Sequence, residues 1–127
     1  MKTGEKIYTQ HADHTEWLNK MKFYNDEIVI LKNRLAEIAN KNNQKEVLAQ
    51  VEHFQNQFII QKNNIDKISH TIHVDEDIIE KEITKNEVAV DHREMPSHSG
   101  EKNTVEAFEK NFNELRTEFK TFAAKWM

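Results

Sequence analysis

The stretch Ile68-Ser69-His70-Thr71-Ile72-His73-Val74-Asp75-Glu76-Asp77-Ile78-Ile79 decides how many helices this chain makes. Up to Ile72 it continues a stripe formed by Val47, Val51, Phe54, Phe58, Gln61, Ile65, Ile68 and Ile72, spaced alternately four and three residues apart. A mean period of about 3.5 residues keeps such a set on one face of a helix and favours left-handed, heptad-like packing. At position 75 the stripe meets an aspartate, and Asp75, Ile79 and Ile83 are separated by two successive fours. Asp75 also reads as a helix N-cap, with Val74 and Ile79 spaced as a hydrophobic staple around it. The spacing therefore predicts a helix that ends near 72 and a new one from 76, in preference to a single rod over 44–94.

Outward from this stretch the same rhythm recurs. His14, Trp17, Met21, Tyr24, Ile28, Leu31, Leu35 and Ile38 form one stripe, and Val105, Phe108, Phe112, Leu115, Phe119, Phe122 and Trp126 another. Ile79, Ile83, Asn86 and Val90 make a shorter, weaker one. Asp13 with Glu16, Asn43 with Glu46, and Asn103 with Glu106 have the spacing of a capping box, in which a short polar side chain accepts from an early helix N–H. Met95-Pro96 followed by Ser-His-Ser-Gly ends a helix and supplies a loop. The expected helices are 14–41, 44–72, 76–94 and 104–126, with 1–12 a loose arm and 95–103 a loop. Short connections favour antiparallel neighbours. The expected fold is a single all-α domain over 1–127, an antiparallel up-down-up-down four-helix bundle. That order places Trp126 beside Trp17 and His14.

Composition agrees with this class. The 127 residues include only 2 Gly and 1 Pro, too few for a β fold with many tight turns, and no Cys, which removes disulfides, thiolate metal sites and cysteine nucleophiles. Twenty-two acidic against 18 basic side chains give a net charge of −4, and only Arg34, Arg93 and Arg116 are arginines. Nucleic acid needs a concentrated basic face, so it is not an expected partner. The longest aliphatic run, Ile28–Leu31, is far too short for a membrane span, and Met1–Gln10 has no apolar stretch of a signal peptide. A cytoplasmic location is the expectation.

Chemistry is sparsely marked. The chain has no phosphate loop, dinucleotide fingerprint, nucleophile elbow or zinc-protease helix motif. His11/His14 and His70/His73 are two pairs three residues apart, a spacing that lets one helix face share a metal. His14 and His70 are equidistant from a turn near 42, so a hairpin brings them to one end, with Glu16, Asp75 and Glu76 nearby. That end would suit a first-row divalent metal, although His70 and His73 fall toward the outside of their stripe. His53 and His92 read as surface histidines. The Glu-x-x-His pattern of di-iron bundles is absent. The run Asp75–Asp77 reads as the acidic first turn of a helix, and no carboxylate is marked as a catalytic acid or base. No catalytic, cofactor-binding or metal-ligating residue is assigned.

Residues off the stripes are more telling. Phe23 and Ile30 lie off the first and Ile59 and Ile60 off the second, where they broaden the core or meet a partner. Tyr24, Gln61 and Asn86 fall at one height and are expected to form a mutually satisfied polar layer. The segments Glu52-His53-Phe54-Gln55-Asn56-Gln57-Phe58 and Phe122-Ala123-Ala124-Lys125-Trp126-Met127 resemble an uncharacterised bacterial group of short all-helical proteins. The resemblance implies no activity to carry over to any residue. The function expected is that of a non-enzymatic helical bundle acting through protein association, with a homodimer as the simplest form. The alternative is a small metal-binding or redox bundle that uses the histidine-rich end.

Overall fold

The computed structural model describes residues 3–85 and 98–127. Three helices form there: α1 (Thr3–Lys41), α2 (Lys45–Lys85) and α3 (His98–Trp126), with no strand among the described residues. The fold is all-α. None of the three helices is long and apolar enough to cross a membrane.

The four-helix expectation is corrected at the stretch that was meant to decide it. α2 passes through 73–75 without interruption. Its buried set runs Val47, Val51, Phe54, Phe58, Gln61, Ile65, Ile68, Ile72, Asp75 and Ile79, so the four-three alternation holds to Ile79. Asp75 stays on the seam because its carboxyl has a partner there, as described below, and no Gly or Pro between 44 and 94 gives the backbone a reason to break. The expected helix over 76–94 is thus the continuation of α2 as far as Lys85; residues 86–94 lie outside the described residues.

Two further boundaries move for the same cause. α1 begins at Thr3, so most of the expected loose arm is helical, and Asp13 sits inside a helix rather than capping one. α3 begins at His98, which places 98–103 in helix rather than loop, and Asn103 inside it. In each case the seam extends upstream through a buried polar residue, Gln10 before His14 and Glu101 before Val105, each four residues earlier. The turn expected after Asn43 is present: residues 42–44 connect α1 to α2, and the Leu48 N–H donates to the Gln44 carbonyl at 3.0 Å.

Interhelix contacts fix the topology. His11 and His14 of α1 meet Glu76 of α2, so these two helices run antiparallel about the 42–44 turn. Along α1 and α3, partners rise together: His14 with Glu101, Tyr24 with Glu109, and Glu27 with Arg116. The third helix is therefore parallel to the first. Trp126 ends up beside the 42–44 turn, where Asn42 Nδ2 donates to the carbonyls of Ile38 (2.9 Å) and Trp126 (3.1 Å). Its expected neighbours, Trp17 and His14, are at the opposite end; a third helix rather than a fourth reverses its direction.

The three seams interlock around an aromatic centre. Phe119 lies 5.3 Å from Phe54 and 5.5 Å from Phe58 between ring centroids, both nearly edge-on, and Phe122 lies 5.1 Å from Phe54. Higher up, Tyr24 packs on Phe108 and Phe112 at 5.3 and 4.8 Å. Arg116 spans the α1–α3 seam, forking onto Glu27 at 2.5 and 2.6 Å while its guanidinium covers the Phe112 ring.

Tyr24 does not take its expected place in a layer with Gln61 and Asn86. The Tyr24 hydroxyl donates instead to Glu109 Oε2 at 2.7 Å, and Asn86 lies outside the described residues. Burial, then the Glu109 hydrogen bond and charge, push the Tyr24 phenol up to about 12. Gln61 is buried, as its place in the stripe requires, but its Oε1 has no hydrogen-bond partner among the described residues. An unsatisfied buried acceptor costs about 1–3 kcal/mol. Gln61→Leu should therefore stabilise the bundle by about 1 kcal/mol, read as a higher urea midpoint; a lower midpoint would show that the amide is held by bonds a leucine cannot replace.

Candidate functional site

The end of the bundle opposite the 42–44 turn is built differently from the rest. Along most of its length the seams carry aliphatic and aromatic side chains. Near the start of α3 they carry Gln10 and His14 from α1, Asp75 from α2 and Glu101 from α3, all buried. The helical repeat alone puts them there, because each continues its seam by a step of three or four.

His14 is the centre of this layer and is wholly buried. Its Nδ1 lies 2.8 Å from Glu76 Oε1 and its Nε2 lies 3.0 Å from Glu101 Oε1, so one ring bridges α2 and α3. A histidine ring between two carboxylate oxygens satisfies both as a donor only when each nitrogen carries a proton. The exposed His11 approaches the other oxygen of Glu76. Trp17 covers one side of His14, with ring centroids 5.7 Å apart.

Glu101 is the unusual member. Its Oε2 is buried and has no hydrogen-bond donor among the described residues. A second buried acid, Asp75 of α2, acts on the Glu101 carboxyl in the same layer. Two carboxylates cannot bond unless one of them is protonated. Burial, together with the hydrogen bond and charge of Asp75, pushes the Glu101 carboxyl up to about 8. A proton on Oε2 turns the orphaned acceptor into a donor toward Asp75 and leaves Oε1 to accept from His14. A cleft between α2 and α3, bordered by Lys67, Thr71, Gly100 and Thr104, reaches Glu101 from outside.

Of the residues singled out in the sequence, the structure joins His11, His14, Asp75 and Glu76, and leaves Glu16, His70 and His73 exposed and apart from the layer. His53 is also exposed, and His92 lies outside the described residues. Glu101 and Gln10 are not apparent from the stripes, because each lies upstream of the first stripe residue of its helix. The signal was present: stepping back four from Val105 and from His14 lands on each. Among the described residues no three His, Asp or Glu side chains are placed to hold a metal ion.

A second feature lies on the outside at mid-height. Phe23, Val29 and Ile30 on α1 and Ile59 and Ile60 on α2 are each about half exposed or more, between 47% and 63%. Val29 and Ile59 stand at similar distances from the 42–44 turn, on the outer flanks of the α1–α2 pair. Phe23 borders a shallow groove on the α1–α3 side with Tyr24 and Glu109. The expected quartet is thus exposed, as a belt around the bundle rather than one compact patch. No family model matches the chain, and neither does any curated protein or solved structure.

Proposed function

We propose that this protein is a non-enzymatic helical bundle that acts through protein association, and that its first partner is a second copy of itself. The observation that carries this reading is the mid-height belt: five large apolar side chains held in water by a fold whose core is already complete without them. A large apolar side chain gains about 1.5–3 kcal/mol when fully buried, so a partner that covers even part of this belt is held by it.

Sedimentation equilibrium tests this directly. The wild-type chain should be a dimer at high micromolar concentration, and the double variant Val29→Lys/Ile59→Lys a monomer with nearly the same melting temperature. A wild-type chain that stays strictly monomeric under those conditions would sink the proposal, as would a double variant that dimerises with undiminished affinity.

A further inference from the structure

The layer around His14 also has a use that association does not require. Charged and titratable groups surround Glu101 from both neighbouring helices: His14 from α1, which Glu76 of α2 holds on its other nitrogen and which His11 backs through Glu76; and Asp75 and, across the cleft, Lys67 from α2. On α3 itself Lys102 follows in sequence and is exposed. Within this set the Asp75–Glu101 contact is the one that needs a shared proton, because both members only accept when ionised. The buried Oε2 of Glu101 is the atom left without a donor if that proton is absent.

We propose that Asp75 and Glu101 hold one proton between them and that its release loosens this end of the bundle, so that the α2–α3 contact here is a pH-sensitive clasp. With the proton in place, Glu101 donates to Asp75 and accepts from His14, and the layer ties all three helices together. When the proton leaves through the Lys67–Thr104 cleft to water, two like charges face each other out of solvent. The contact that closed α2 onto α3 then becomes repulsive. The sign follows from the shift. Glu101 titrates near 4.5 when unfolded and near 8 in the fold. Between those values the folded chain binds one more proton than the unfolded chain, so stability falls as pH rises through the window and levels off above it.

The test compares melting temperatures of the full chain from about pH 6.5 to about pH 9.5. Wild type should lose several degrees across that range. Glu101→Gln carries a permanent donor toward Asp75 and should lose much less, while the exposed control Glu114→Gln should track wild type. If Glu101→Gln fails to fold, Asp75→Asn, which removes the opposing charge, makes the same comparison. Trp17 supplies a local readout, because it packs on His14. In a Trp126→Phe background its emission should shift with a midpoint near 8 at temperatures where the bundle remains folded, and the shift should vanish with Glu101→Gln. Parallel pH profiles for wild type and Glu101→Gln, or a Trp17 emission that stays flat across the range, would overturn the clasp. Neither readout depends on the oligomeric state, so its failure would leave the association proposal standing.

Discussion

Replacing Val74 with proline should destabilise the protein by about 3 kcal/mol or more, the cost of proline in a helix interior. Val74 is largely exposed, so its side chain contributes little to the core. What the substitution removes is a backbone hydrogen bond in the middle of α2, and what it adds is a clash between the ring and the carbonyl one turn back. If the chain turned at 73–75, proline there would precede a helix cap and do little harm. Urea unfolding followed by circular dichroism separates the two cases. A midpoint unchanged from wild type would mean that α2 does not run through this position.

The aromatic centre should respond as strongly and for a different reason. Phe119 is almost fully buried and touches Phe54, Phe58 and Phe122. Phe119→Ala removes ring contacts with α2 and its own helix and leaves a cavity that long, interlocked helices cannot close by small shifts. The expected loss is about 3–5 kcal/mol. Phe23→Ala, which removes the same side chain from an exposed site, should change monomer stability by no more than about 0.5 kcal/mol. Measured below the association range, near-equal losses at the two positions would contradict the assignment of core and surface.

Where the sequence was readable and where it was not follows from one physical distinction. The stripes from His14 to Ile38, Val47 to Ile72 and Val105 to Phe122 are buried in the structure residue for residue, Gln61 included. An apolar side chain at a repeating position announces burial by itself, because nothing else rewards placing Ile or Phe there so regularly. The errors all sit where the seam becomes polar. Gln10, Asp75 and Glu101 occupy seam positions as faithfully as any leucine, yet their type suggests caps and solvent. A polar residue is acceptable on a seam only when a partner meets it from another helix, and partners across helices are not visible in one chain's spacing. Asp75 reads as a break because an acid on the seam, followed by two steps of four, has the pattern of a cap, and the carboxyl it meets on α3 is not visible from α2 alone. The candidate site was half legible for the same reason: His14 drew notice as a histidine on a stripe, with Asp75 and Glu76 near it. Glu101 completes the layer from a helix whose start was placed too late.

The unbroken course of α2 has a mechanical corollary. Forty-one helical residues at a rise of about 1.5 Å each give a shaft about 60 Å long, twice the span of a small globular domain. Two companion helices brace it along their seams, and the chain has no glycine between Gly4 and Gly100 at which to hinge. The protein thus has the proportions of a strut. Its polar layer and the 42–44 turn are held apart by the length of helix between them, so that anything seated at one is kept at a set distance from anything seated at the other.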